Sequence, residues 1–186
     1  MHLGGAVGSA ALVAPLLAAA TAVGEWAAVA LLDDTFGALA AAEADVALER
    51  CAVVRRVPAE RWATVVGALL EGFTVVSAVV PPHVRLGDAR RLVARARERR
   101  AVLIAWRGAW PAEAALRIEA GASRWHGLER GDGLLAGREL TVVVENKGVS
   151  RTARLEMPLG TSLGSIVVAP VEAITTAPVT PAALAG

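Results

Sequence analysis

The chain has 186 residues, of which 55% are hydrophobic and 20% charged, and its mean hydropathy is +0.50. This length and composition suit a single folded domain and exclude a disordered chain. The 19 basic and 18 acidic residues leave a net charge of +1, so no global positive field attracts nucleic acid or an anionic membrane. One cysteine and three widely separated histidines exclude a disulfide framework and a short metal-ligand motif.

The first predicted element lies in an uncharged stretch, residues 3–24. Its length raises three alternatives: a buried helix, a signal peptide and a membrane span. The stretch is mostly Ala and Gly, Pro15 interrupts it, and no Lys or Arg precedes it. We therefore expect a buried helix and no membrane segment.

Strands and helices then alternate along the chain. Apolar runs bounded by acids, glycine or proline predict buried strands at 26–32, 51–55, 73–80 and 101–106. Helical periodicity predicts helices at 35–43, 57–72 and 85–100. Alternation at this spacing requires crossover connections, so the sequence predicts an α/β fold with a mostly parallel sheet flanked by helices.

The pattern changes after Pro111. Strands are predicted at 115–119, 138–145 and 151–157, with a hairpin turn at 146–148, so antiparallel strands extend the sheet at its C-terminal side. The sequence predicts one domain over residues 1–160. Residues 161–186 are rich in Pro, Ala and Thr, and we expect a tail with little fixed structure.

A glycine-rich loop lies between the expected first strand and first helix, where a parallel α/β domain binds phosphate. The candidate residues are Gly4, Gly5, Gly8, Ser9 and Ala10. A working phosphate loop needs lysine to neutralise charge and a hydroxyl to hold magnesium. If Gly8 is the last glycine, Ser9 takes the lysine position and Ala10 the hydroxyl position, so both groups are absent.

The acids are also misplaced for magnesium. The strand at 73–80 ends without an acidic residue, whereas an ATPase carries an acid at that position to order magnesium. Asp33 and Asp34 end the preceding strand, where a cation site and a solvated strand end are the two interpretations. The only lysine of the chain is Lys147. We expect no useful ATP hydrolysis, no bound cofactor and no metal site.

These segments together resemble the RecA core. GGAVGSAAL occupies the phosphate-loop position, VALLDD the acidic strand end, and FTVVSAVV the magnesium-binding strand. LTVVVENKGVSRTARLEMPLG resembles the two terminal core strands of recombinases, which are joined through a Lys-Asn-Lys turn that helps to bridge ATP across the filament interface. Lys147 matches the second lysine of that turn, and Glu145 replaces the first.

A RecA-like body without nucleotide groups, and with very short segments at 81–86 and 107–111 in place of DNA-binding loops, resembles the ImuA family in its actinobacterial ImuA-prime form. The resemblance implies a non-enzymatic accessory subunit of the DNA-damage-induced translesion synthesis mutasome. It implies binding to an ImuB-like inactive polymerase homologue, and through it to an error-prone polymerase and the sliding clamp. It also implies a cytoplasmic, nucleoid-associated protein. The alternatives are a divergent ATPase that uses Asp33 or Asp34 with Lys147, and a damage-response inhibitor of cell division.

Two surfaces are candidates for partner or weak DNA contact, and self-association is a further candidate. The first is an arginine-rich helix face opposite an apolar arc, with a solvated outer face as the alternative. The second is the loop that follows the strand at 101–106, with core packing as the alternative. The candidate residues are Arg90, Arg91, Arg95, Arg97 and Arg99 on the helix, Trp106, Arg107 and Trp110 at the loop, and in addition Lys147 of the predicted hairpin turn. Trp125 and His126 are expected in a packed turn, and Cys51 as a small buried hydrophobe.

Overall fold

The computed structural model describes residues 1–4, 9–127, 133–158 and 167–170. The helices are α1 (Ser9–Ala22), α2 (Ala38–Glu43), α3 (Trp62–Gly72) and α4 (Leu86–Glu98), with short 3-10 turns at Leu48–Arg50 and Ala59–Arg61. The strands are β1 (His2–Gly4), β2 (Ala27–Ala30), β3 (Cys51–Val54), β4 (Val75–Val79), β5 (Val102–Trp106), β6 (Arg117–His126), β7 (Gly137–Asn146), β8 (Val149–Pro158) and β9 (Val167–Pro170).

These nine described strands form one sheet in the order β3-β2-β4-β5-β1-β6-β7-β8-β9. The pairs from β3 to β6 are parallel, and the pairs from β6 to β9 are antiparallel. The predicted mostly parallel sheet with an antiparallel C-terminal extension is therefore confirmed. Parallel strands need crossovers, and α1, α2, α3 and α4 supply them among the first five strands.

The sheet has a separate hydrophobic core on each face. In β2, Ala27 and Val29 belong to the core that contains residues of α1 and α2, while Ala28 and Ala30 belong to the core that contains residues of α3 and α4. Because neighbouring side chains of a strand point to opposite faces, a strand covered on both sides reads as a continuous apolar run. This is the pattern on which the strand predictions rested.

The uncharged N-terminal stretch forms α1 as a buried element. Its 14 residues span about 21 Å, against about 30 Å for the hydrocarbon core of a bilayer. Leu12, Val13 and Leu17 pack into the core beside β2. Among the described residues no helix is both long enough and apolar enough to cross a membrane.

Three boundaries differ from prediction. The helix expected at 35–43 begins at Ala38, because Thr35 bonds back to Asp33 and forms a turn. The strand expected at 115–119 runs instead through His126, because it pairs with β7 along almost its whole length, around a bulge between Ala120 and Ser123. Within the predicted tail, Val167–Pro170 pairs with β8 as an added strand, and the rest of the tail lies outside the described residues.

Candidate functional site at the carboxyl ends of the parallel strands

Charged side chains follow three of the parallel strands on one edge of the sheet. Asp33 and Asp34 come after β2, Arg56 after β3 and Arg107 directly after β5. The carboxyl ends of parallel strands open onto a common crevice, which is where α/β proteins bind ligands. Of the candidate loop residues, Gly4 ends β1, Ser9 is buried at the start of α1 and Ala10 is exposed, while Gly5 and Gly8 lie outside the described residues.

Asp33 is held by its own turn and by an arginine. The backbone N–H of Thr35 donates to Asp33 Oδ1 at 3.0 Å, and the Thr35 hydroxyl donates to the same oxygen. Arg107 Nη1 lies 3.9 Å from Asp33 Oδ2. The hydroxyl bond from Thr35, then its backbone bond, and more weakly the Arg107 charge lower the pKa of Asp33 below its usual value. The carboxylate is therefore ionised at neutral pH, with two hydrogen bonds from Thr35 on Oδ1 and the Arg107 charge at ion-pair distance from Oδ2.

Asp34 is paired with a second arginine. Arg56 donates through Nε to Asp34 Oδ2, and its terminal nitrogen contacts the same oxygen. Arg56 and Arg107 both adopt left-handed backbone conformations, with φ of 54° and 59°. Such a conformation is strained for residues other than glycine and costs about 1–3 kcal/mol each. The edge thus holds two acid–arginine pairs, each completed by a strained arginine.

The described residues of this edge do not fit a magnesium–triphosphate group. They include no lysine, and β4 continues into Val80 and Pro81 without an acid. A carboxylate stands beside the start of the loop instead, since Glu119 Oε1 lies 3.0 Å from the position that a Cβ on Gly4 would take. That charge repels phosphate. Each missing charge-assisted phosphate contact costs about 1.5–3 kcal/mol of binding.

Lys147 lies far from these acids within one chain. It occupies the β7–β8 hairpin turn, with φ of 49°. Arg138, near the other end of β7, lines the same cavity as Thr35. Nine residues of strand separate Lys147 from Arg138, which is about 30 Å at the usual rise. The acids follow β2, which lies five strand positions from β7 in the sheet, about 24 Å at the usual strand spacing, so a nucleotide that contacts both Lys147 and these acids would have to lie between two chains.

The arginine-rich helix α4 packs as the sequence predicts. Ala89, Leu92 and Ala96 are buried on one arc. Three of the five candidate arginines make ion pairs, all of them exposed: Arg91 with Asp88 on α4, and Arg95 and Arg99 with Glu71 on α3. The remaining two, Arg90 and Arg97, flank a groove that is also lined by Pro111. They are the arginines of α4 best placed to meet a partner.

The two tryptophans predicted as a candidate contact surface are in the core, which corrects that assignment. Trp106 and Trp110 are each only 7% exposed. Trp106 is the last residue of β5 and belongs to the core on the α1 face. Trp110 makes an edge-to-face contact with Trp62, with ring centroids 6.4 Å apart. Of the three candidate residues in this loop, Arg107 alone is exposed, with its guanidinium 5.2 Å from the Trp106 ring centroid.

Trp125 and His126 are not in a packed turn, which corrects a second prediction. Both end β6, and Trp125 is 50% exposed, because β6 extends beyond its predicted end. The guanidinium of Arg138 lies 5.0 Å from the Trp125 ring centroid, and its Nε donates to Ser123 Oγ at 2.6 Å. Sequence reasoning missed Arg138, since only the β6–β7 register brings it to Trp125.

Arg56 and Thr35 were also missed as members of the strand-end edge. Their positions carried a usable signal, because Arg56 follows a predicted strand and Thr35 stands two residues after Asp33. A basic residue after one strand and an acid after its neighbour can pair across the sheet edge. That signal is independent of any nucleotide-binding motif.

The geometry defines a RecA-like α/β domain whose described strand-end edge does not fit magnesium and triphosphate. A family model described as the MT3502 N-terminal domain matches residues 2–112, and the chain belongs to that family. No curated protein sequence matches the chain.

A solved structure shows the same kind of fold at low sequence identity. The flagellar accessory protein FlaH from Methanocaldococcus jannaschii superposes with a TM-score of 0.58 at 10% identity, covering 91% of this chain and 88% of FlaH. SulA from Pseudomonas aeruginosa gives a TM-score of 0.49 at 17% identity, covering 59% of this chain and 95% of SulA. The FlaH match extends over the antiparallel strands as well as the parallel core, so the RecA-like fold describes the sheet as a whole.

Proposed function

We propose that the chain is a non-catalytic interaction subunit of the DNA-damage-induced translesion synthesis mutasome. In this role it binds an ImuB-like inactive polymerase homologue, and through it an error-prone polymerase and the sliding clamp. The choice of partner rests on the resemblance to the ImuA family of a RecA-like body without nucleotide groups and with very short segments at 81–86 and 107–111.

One observation carries the non-catalytic part of this proposal. Asp33 and Asp34, the only acids directly following β2, are bonded to Thr35, Arg56 and Arg107. A magnesium ion would have to replace these contacts, and the carboxylate of Glu119 beside Gly4 adds a negative charge that disfavours a nearby phosphate. In an ATPase, residues at this sheet edge bind magnesium and nucleotide. Here the charges of the acids are paired with neighbouring arginines, so we assign the function to the outer surfaces of the domain.

The docking face that we propose is the outer side of α4 around Arg90 and Arg97. The two arginines lie seven residues apart on one helix, about 10 Å along its axis, and they flank the groove next to Pro111. Arginine is frequent at the centre of protein interfaces, because its planar head makes several hydrogen bonds and its stem packs against apolar groups. An acidic surface on the partner would complement this face.

Co-expression with an ImuB-like partner tests the proposal. The tagged chain should co-purify with the partner in the absence of nucleotide. The double variant Arg90→Glu/Arg97→Glu should lose at least about tenfold in affinity, since reversed charges across an interface repel. The control Arg151→Glu, an exposed arginine on β8, should bind normally. Failure of the two unmodified proteins to associate would contradict the proposal.

The competing ATPase hypothesis has its own signature. Since Lys147 is at the far end of β7, five strand positions from the β2 strand that the acids follow, ATP turnover would require two chains and would rise steeply with protein concentration. Turnover abolished by Lys147→Ala would favour that hypothesis. Filamentous cells on overexpression, without association with the ImuB-like partner, would favour the cell-division inhibitor.

A further inference from the structure

A cavity of about 360 Å³ lies on the α1 side of the sheet and adjoins the acid–arginine pairs through Thr35. Its walls come from α1, α2, β2 and the ends of β5, β6, β7 and β8. The volume is within the range of about 300–1,000 Å³ that small-molecule sites occupy. The cavity thus has the size of a ligand site and is open to solvent on one side.

The walls of this cavity are apolar because of the residue types that face it. Aliphatic surface comes from Val13 and Leu17 of α1, from Val29 of β2 and from Leu31 directly after β2. Aromatic and thioether surface comes from Phe36, Trp106, Trp125 and Met157. Alanines of α1 and α2 stand where larger residues would close the gap between the two helices: Ala10, Ala11, Ala14, Ala40 and Ala41. An apolar ligand body would therefore contact aliphatic and aromatic side chains along the cavity wall.

Besides the indole N–H groups of Trp106 and Trp125, two polar side chains line the cavity in the described residues, and they differ in the hydrogen bonds that they can make. Thr35 already donates its hydroxyl to Asp33, so its oxygen can only accept. Arg138 is the one charged lining residue of this part of the chain. Its polar donors favour a negatively charged ligand group.

Arg138 is also held in place for that task. Its guanidinium stacks on Trp125, and Ser123 accepts a hydrogen bond from Nε at 2.6 Å. In the described residues its two terminal nitrogens make no hydrogen bond. A cation that is already oriented loses less conformational freedom when it binds an anion. Because Arg138 is only partly buried, the charge remains solvated until a ligand arrives.

We propose that this cavity binds a small amphipathic acid, with its apolar body between α1 and α2 and its anionic group on Arg138. Carboxylate, sulfonate and phosphate monoester head groups share the required chemistry. The site is independent of the partner proposed above, and it holds whether or not the chain binds a polymerase homologue.

The test uses two fluorescent probes that differ in one group and are added to the full chain. The first, 1-anilinonaphthalene-8-sulfonate, carries the anion, and the second, N-phenyl-1-naphthylamine, is the same body without it. Both should bind at one saturable site. Dodecanoate, a simple amphipathic acid, should displace the first probe, whereas dodecanol should displace it at least about fivefold less effectively, because it lacks the charge-assisted contact.

Matched variants separate the two halves of the site. Ala14→Phe fills the cavity from α1 and should weaken both probes at least about tenfold, whereas Ala19→Phe, exposed on the same helix and outside the lining, should change neither. If Ala14→Phe does not fold, as judged by circular dichroism, Ala40→Phe fills the cavity from α2 instead.

The charge is tested in the same way. Arg138→Gln should weaken the sulfonate probe about tenfold and leave the neutral probe within twofold, as expected for loss of one charge-assisted contact. Arg151→Gln, a remote arginine on β8, serves as the control. Saturable binding that survives Ala14→Phe, equal effects of Arg138→Gln on both probes, or no saturable binding would overturn the proposal.

Discussion

Replacement of Trp110 by alanine should destabilise the fold strongly, because this residue is part of the core. Its ring is 7% exposed and packs edge-to-face on Trp62. Burial of about 200 Å² of ring surface at about 25 cal/mol per Å² gives about 5 kcal/mol as an upper value. Measured losses for Trp→Ala in cores are about 3–5 kcal/mol. Trp110→Phe should lose less, since it keeps an aromatic ring in the same place.

Urea unfolding, followed by circular dichroism, measures this loss. With a slope of about 2 kcal/mol per molar urea, the midpoint should fall by about 2 M. Leu39→Ala is the control, because that side chain is 73% exposed and its loss should change stability by about 0.5 kcal/mol or less. A Trp110→Ala midpoint within 0.3 M of the unmodified chain, about the change of the control, would refute the core assignment and restore this loop as a contact surface.

Three further predictions follow from particular contacts. Gly108→Ala should destabilise the fold by about 1–3 kcal/mol, because its Cβ would lie 2.6 Å from the backbone carbonyl oxygen directly after β4. Gly87→Ala should stabilise the fold by about 0.5–1 kcal/mol, because its Cβ would enter open space on α4. Thermal unfolding of both variants checks this. Asp33 has a lowered pKa in the folded chain, so its contribution to stability is present at neutral pH and is lost as the pH falls through that lowered pKa. The variant Thr35→Val should raise the pKa of Asp33, because it removes the hydroxyl hydrogen bond. An unchanged pKa in a carboxyl NMR titration would contradict the assigned cause. Burial raises the pKa of the Cys51 thiol, so at pH 8 it should react more slowly with a thiol reagent in the folded chain than in urea, and equal rates would refute its burial.

Most of the fold was predictable from the sequence because its strands are buried on both faces. Four apolar runs identify the strands clearly, and they end at Asp33, Arg55, Pro81 and Arg107. A strand covered by helices on both faces has no solvent-exposed position that would take a polar residue, so its apolar run is continuous. The end of β6 was not predictable. Its outer half is exposed and alternates weakly, and only hydrogen bonding to β7 extends the strand as far as His126.

The absence of nucleotide-binding groups from the candidate site was predictable from the sequence, whereas the contacts between its side chains were not. The missing lysine is a fact of composition and can be read directly from the sequence. The Asp34–Arg56 pair and the Arg138–Trp125 stack join residues 22 and 13 positions apart, and they depend on strand order and register. The misplacement of Trp106 and Trp110 has the same origin, because a tryptophan at a strand end fits a core and an interface equally well until its face of the sheet is known.

Calorimetric titration of the full chain with Mg-ATP tests the central claim most directly. If the acids and arginines at the strand ends are satisfied by one another, no saturable heat should appear up to millimolar nucleotide, and Asp34→Asn should not create any. Micromolar binding of Mg-ATP, weakened by substitution of Asp33 or Asp34, would contradict the claim that this edge has no place for a nucleotide.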